Sequence, residues 1–101
     1  MPSKSYRDHL MEDLRDVHEA ASYLTGCLEE SEEMFLMGLR DVTEAFGGIG
    51  KLSQEAELNR VSLYRMLSEE GNPRLSSLSK VLSVLGLQIQ FLPSEGNREA
   101  A

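Results

Sequence analysis

Few residues of this chain have both the type and the spacing that catalysis or metal binding requires. His9 and His18 stand nine residues apart across an expected helix break at Asp16, which misses the i, i+4 spacing that brings two imidazoles to one metal. They read as surface imidazoles. Cys27 is the one cysteine, so there is no internal disulfide framework and no four-cysteine zinc site. No histidine is spaced to mark it as a nucleophile's base, and it reads as a small buried residue. The acidic run Glu29, Glu30, Glu32, Glu33 lacks the alternating ligands and central glycine of a calcium loop and reads as a solvated helix junction. Gly47, Gly48 and Gly50 have no strand before them and no lysine-threonine end after them, so they do not form a phosphate loop. The expectation is a protein that is not an enzyme, with no metal and no cofactor.

The residues that remain are those that a helix-turn-helix pattern, set out below, would place toward DNA by motif position. Arg60, Val61, Tyr64 and Arg65 fall on one short helical stretch. Arginine can pair bidentately with guanine in the major groove, and a valine can touch a thymine methyl. Lys51 upstream, with Asn72 and Arg74 downstream, could hold phosphates and set the register. Asn59, the expected cap of that stretch, belongs to the same DNA-facing set. Lys80 lies on a later helix and is left out.

Composition frames this reading. The chain has 101 residues, 41% of them hydrophobic and 27% charged, which suits one globular domain. No apolar run approaches the ~18–20 residues of a membrane span. The amino terminus lacks the order of a secretory signal, so a cytoplasmic location is expected. The net charge of −7 is unevenly spread. Residues 1–46 hold four basic side chains against eleven acidic ones, whereas residues 47–92 hold five against four. An acidic half joined to a slightly basic half suggests two surfaces for two kinds of partner. A plain solubilising surface is the alternative.

The elements that must position these residues follow from periodicity. Residues 1–5 read as frayed, and Leu10, Met11 and Leu14 mark a short amphipathic helix over 6–15. Asp16, with Glu19 three residues on, predicts the start of a helix over 17–28 with an apolar stripe of Val17, Ala20, Ala21, Leu24 and Leu28. Ser31 opens a third helix that buries Phe35, Leu36, Leu39, Val42, Thr43 and Phe46, and Gly47 and Gly48 stop it. Two short helices are expected over 49–57 and 60–68, the first buried through Leu52 and Ala56 and the second through Leu63 with Met66 or Leu67. The cluster Glu70-Gly71-Asn72-Pro73 is a turn. A helix starting at Ser76 or Ser77 carries Leu78, Val81, Leu82 and Leu85 to a stop at Gly86. Leu87, Ile89 and Phe91 alternate with Gln88 and Gln90, which predicts one short strand. With no second strand in its own chain, that strand calls for antiparallel pairing with a two-fold mate. The organisation expected is a helical arm over 1–30, a compact unit over 31–92 and a disordered tail over 93–101.

Two short helices joined by a three- or four-residue turn and packed between further helices describe a helix-turn-helix domain. Ser53 or Ala56 would be the small residue at the crossing, Glu57 the left-handed turn residue, Leu58 the corner plug and Leu63 the buried face of the second helix. The residues Leu52, Glu55, Ala56, Leu58, Arg60, Ser62, Leu63, Tyr64, Arg65, Leu67 and Ser68, followed by Gly71-Asn72-Pro73, Leu78, Val81, Leu82 and Leu85-Gly86-Leu87, carry a resemblance to a known family. With Ala20–Leu24 and Phe35–Asp41 upstream, the chain resembles HigA-like addiction-module antidote proteins. That resemblance implies a mainly α, lambda-repressor-like helix-turn-helix bundle with a helical arm and one short β-strand. It implies an antitoxin that represses its own operon and neutralises a RelE/HigB-like ribonuclease toxin; the charge division adds that the acidic arm meets that toxin, and the unpaired strand that the protein binds a palindromic DNA operator as a homodimer. Serine at 53 and glutamate at 57 depart from the family's usual alanine and glycine. A stand-alone repressor, or an interaction module that has lost DNA binding, are the alternatives.

Overall fold

The computed structural model describes residues 5–68 and 70–95. It contains six helices among these residues: α1 Tyr6–Asp13, α2 Val17–Glu30, α3 Glu32–Phe46, α4 Ile49–Ala56, α5 Arg60–Met66 and α6 Leu75–Val84. Their starts are written locally. Ser5, expected to fray, caps α1 instead, in a reciprocal capping box with Asp8. The carboxylate of Asp16 accepts from the N–H groups of His18 and Glu19 at the start of α2, and Ser31 Oγ accepts from Met34 at the start of α3. Gly47 and Gly48, both at positive φ, end α3 and turn the chain into α4.

One hydrophobic core joins all six helices. Leu39, Leu52, Leu63, Leu67 and Val81 are fully enclosed, and Leu14, Ala20 and Leu24 belong to the same cluster. α1 and α2 thus share the apolar centre of the helices that follow. The buried stripe of α2 differs from the expected one: Ala20, Leu24 and Cys27 face inward, while Val17, Ala21 and Leu28 are exposed. The cause lies on α3. A Cβ at Gly38 would stand 2.7 Å from Cys27 Sγ, so the glycine lets α2 approach through its cysteine. Phe35 and Phe46 are half-buried rather than enclosed. α6 starts one to two residues earlier than the serines suggest, because the Leu78 N–H already closes on the Arg74 carbonyl at 2.9 Å.

The helical architecture is as expected, but the strand over 87–92 is absent from the single chain. No strand occurs among the described residues, and residues 87–94 have no regular structure. A strand exists only through its ladder, and the described residues offer that segment none. Of the expected tail, residues 93–95 have no helix or strand, and 96–101 lie outside the described residues, as do residues 1–4 of the expected frayed start.

Candidate nucleic-acid interface

α4 and α5 are joined by three residues, Glu57, Leu58 and Asn59. Glu57 sits at φ 56 and ψ 44, the left-handed conformation expected of it, and among the described residues it is the non-glycine with positive φ. Such a conformation crowds the Cβ of an L-residue and needs support. Ser53 provides it. Its carbonyl accepts from the N–H groups of both Glu57 and Leu58, and its hydroxyl donates to the Leu58 carbonyl at 2.6 Å. Asn59 then caps α5 by accepting from the Ser62 N–H at 3.1 Å. The turn is hydrogen-bonded from both sides, which fixes where α5 begins and which face it turns outward.

That outward face carries the four recognition candidates. Leu63 and Met66 are buried beneath α5, while Arg60, Val61, Tyr64 and Arg65 are exposed. Val61 and Tyr64 expose 64% and 60% of their surface, too much for core residues of a folded chain. The structure divides the candidate set into two groups. Asn59, Arg65, Asn72 and Arg74 line one open cleft of about 540 Å³ between α5 and the chain leading to α6. Gly71 makes this possible, because a Cβ there would collide with the Met66 carbonyl. The second group lies at the start of α4. The Arg60 guanidinium rests against Gly50, where a Cβ would displace it. Lys51 follows in sequence, but its ammonium donates to the Phe46 carbonyl at 3.2 Å and sits 4.3 Å from the Phe46 ring centre. In this chain Lys51 also closes the C-terminus of α3, a favourable place for a cation.

Sequence reasoning missed a second polar cluster, which joins α1, α2 and α3. Arg7 of α1 pairs with Asp41 at 3.0 Å and with Glu44 at 2.9 Å on α3. Tyr23 of α2 donates its hydroxyl to the other oxygen of Asp41 at 2.7 Å. Burial raises the Tyr23 pKa, and the bond to Asp41 raises it further. The Cys27 thiol is likewise raised, first by burial and then by the Asp41 charge, so it is not an activated nucleophile. The i, i+3 spacing of Asp41 and Glu44 signals one acidic face on α3, but only packing decides which cation meets it. No group of three or more histidine, cysteine or carboxylate side chains among the described residues could hold a metal. No helix among the described residues is long and apolar enough to cross a membrane.

Comparison with known proteins supplies the family. Residues 6–93 match the model of the family described as probable addiction module antidote protein. The chain belongs to this antidote family. The match runs from α1 through the segment after α6, so it takes in the acidic helices as well as the α4–α5 pair. A similar protein from Haemophilus influenzae, itself uncharacterised, is 34% identical over 84 residues, covering 82% of this chain and 86% of that relative. No solved structure matches the chain significantly. Membership of an antidote family implies an antitoxin role and a toxin as partner.

Proposed function

We propose that this antidote protein is a cytoplasmic, non-enzymatic antitoxin that also represses transcription. It binds a palindromic operator as a homodimer through a lambda-repressor-like helix-turn-helix, and neutralises a RelE/HigB-like ribonuclease toxin. The observation that carries the DNA-binding part is the left-handed turn at Glu57, which starts α5 with Arg60, Val61, Tyr64 and Arg65 turned outward. α5 then acts as the recognition helix. Arg60 and Arg65 read guanines and Val61 and Tyr64 make the apolar contacts of a major groove. Asn59, Asn72 and Arg74 hold phosphates along the cleft, and Lys51 holds one from the start of α4. Two such helices on a two-fold dimer would enter successive major grooves about 34 Å apart.

The dimer is built through Leu87, Ile89 and Phe91, whose segment has no strand to pair with among the described residues of its own chain and whose side chains alternate apolar with polar. The toxin meets the acidic arm, α1 and α2. Their excess of negative charge would speed encounter with a basic protein, while apolar contact fixes affinity.

A second reading is favoured by one residue: the Glu57 carboxylate stands at the turn where phosphates would pass, which suits an interaction module that has lost DNA binding. A gel shift with the DNA upstream of the gene separates the two. The repressor reading expects a band that an unrelated fragment does not compete away, and the interaction-module reading expects none. Co-expression with the neighbouring reading frame tests the antitoxin role: relief of growth arrest is expected, and a toxin-free neighbourhood would leave a stand-alone repressor.

A further inference from the structure

An open apolar groove of about 510 Å³ runs between the α2–α3 junction, α6 and the segment that follows it. Its walls include Leu24, Leu28, Phe35, Leu78, Leu82 and Leu87. The same segment ends in Phe91, 90% exposed, and an exposed Leu92. With Ile89, also exposed, these residues make a run of bare apolar side chains on one segment, and a contiguous apolar patch marks an interaction surface where a single exposed residue would not. We propose that this groove is filled by Phe91 of the partner subunit, so that each protomer of the dimer inserts its ring into the other. The inference rests on the dimer reading above and adds to it a register and an occupant.

The register follows from the pattern. A strand slipped by one residue turns every side chain to the opposite face, so antiparallel copies must pair odd positions with odd ones to keep Leu87, Ile89 and Phe91 together. Gly86, at positive φ, ends the helical approach on one side, and Pro93, which lacks an N–H, ends the ladder on the other. Within these limits a two-fold axis through Ile89 puts all three apolar residues on one face. Ile89 then opposes its own copy, and Phe91 of the partner subunit lies opposite Leu87. Leu87 lines the groove, so the ring arriving beside it is carried to the groove mouth. Two phenylalanines at roughly 150–250 Å² each, with the walls they cover, supply about half of the roughly 1,200 Å² that a stable dimer needs. Ile89, Leu92 and the ladder supply more. The segment's own neighbours, Gln88 and Gln90, are polar and carry no charge against pairing.

The chain has no tryptophan, so Phe91→Trp creates a single reporter. Fluorescence of this variant is read alongside sedimentation equilibrium over a range of protein concentrations. The expected result is a dimer whose emission is blue-shifted when associated and moves to the solvent-exposed wavelength on dilution. Leu28→Lys alters an exposed groove wall outside the core. Added to the reporter variant, it should weaken the dimer about tenfold or more and return the emission to the solvent value at a fixed concentration, with helix content unchanged. Ile89→Cys in a Cys27→Ala background should cross-link to itself on mild oxidation. A dimer in which the indole emission of Phe91→Trp stays solvent-like overturns the groove occupant while leaving the strand-paired dimer standing. A chain that remains monomeric at all concentrations overturns both. A monomer whose groove is covered only on adding the toxin would assign this face to that partner and overturn the proposal.

Discussion

The Ser53 hydroxyl donates to the Leu58 carbonyl at 2.6 Å across a turn whose first residue, Glu57, is left-handed. The left-handed backbone of a non-glycine costs ~1–2 kcal/mol, and one such hydrogen bond returns ~0.5–1.5 kcal/mol. The two quantities are of the same size, so the serine at 53 offsets the glutamate at 57. Ser53→Ala should lower stability by about 1 kcal/mol, measured by urea unfolding, and should do so by less in a Glu57→Gly background.

Glu57→Gly should itself raise stability. It relieves ~1–2 kcal/mol of left-handed strain, partly offset by the freedom that glycine adds to the unfolded chain. Removing the carboxylate from the DNA-facing side should also raise DNA affinity. Glu57→Ala separates the effects, because it removes the charge and keeps the strain. Its affinity should rise without a matching gain in melting temperature. A glycine variant that melts clearly lower would contradict the strain at this turn.

The Tyr23–Asp41 bond gives stability an alkaline limit. Burial and the bond to Asp41 raise the Tyr23 pKa above the unfolded value of about 10, so the native state holds this proton more tightly than the unfolded one. The stability it contributes is complete below about pH 10 and is lost as pH rises through the folded value. Thermal melts across this range should show the loss in the native chain and a shallower one in Tyr23→Phe. The phenolate absorbance of Tyr23 should appear late in a titration and disappear in that variant. Equal alkaline sensitivity of the two proteins would contradict the coupling.

Arg7 ties α1 to α3 through Asp41 and Glu44, but its side chain is half exposed, and exposed ion pairs contribute little. Arg7→Ala should therefore cost no more than ~1 kcal/mol. Leu39→Ala, at the fully enclosed centre of the same helix, should cost ~2–5 kcal/mol. Urea unfolding of both compares them directly, and the reverse order would mean that charge rather than apolar packing holds α1–α3 together.

Much of this molecule was legible in the sequence where information is local. The caps at Asp16, Ser31 and Asn59 and the stop at Gly47 follow from residue types within a few positions, while the left-handed turn at Glu57 follows from its place in the helix-turn-helix pattern, against the preference of glutamate itself. What escaped depends on distant partners. The face of α2 was misjudged because Gly38, on the next helix, decides how closely Cys27 can approach. Arg7, Asp41 and Tyr23 meet only in the packed structure. The period-two pattern over 87–92 was visible, but a strand needs a second strand, and the described residues of the single chain have none to give it. Of the candidate site, the outward face of α5 was readable from helical spacing. The attachment of Lys51 to the Phe46 carbonyl was not, because it bridges a glycine turn of unusual backbone.

The central claim is that α5 reads base sequence, and specific binding measured against salt tests it most directly. Fluorescence anisotropy would compare the upstream DNA with a scrambled duplex for the native protein, Arg60→Ala, Arg65→Ala and Lys51→Ala. Each arginine variant should lose ~1–3 kcal/mol on the specific duplex and relax preference at one base position. Lys51→Ala should weaken both duplexes alike and reduce the slope of log K against log salt by about 0.9. Equal losses on both duplexes for all three variants would contradict base reading by Arg60 and Arg65, and no binding by the native protein would contradict DNA recognition by α5 as a whole.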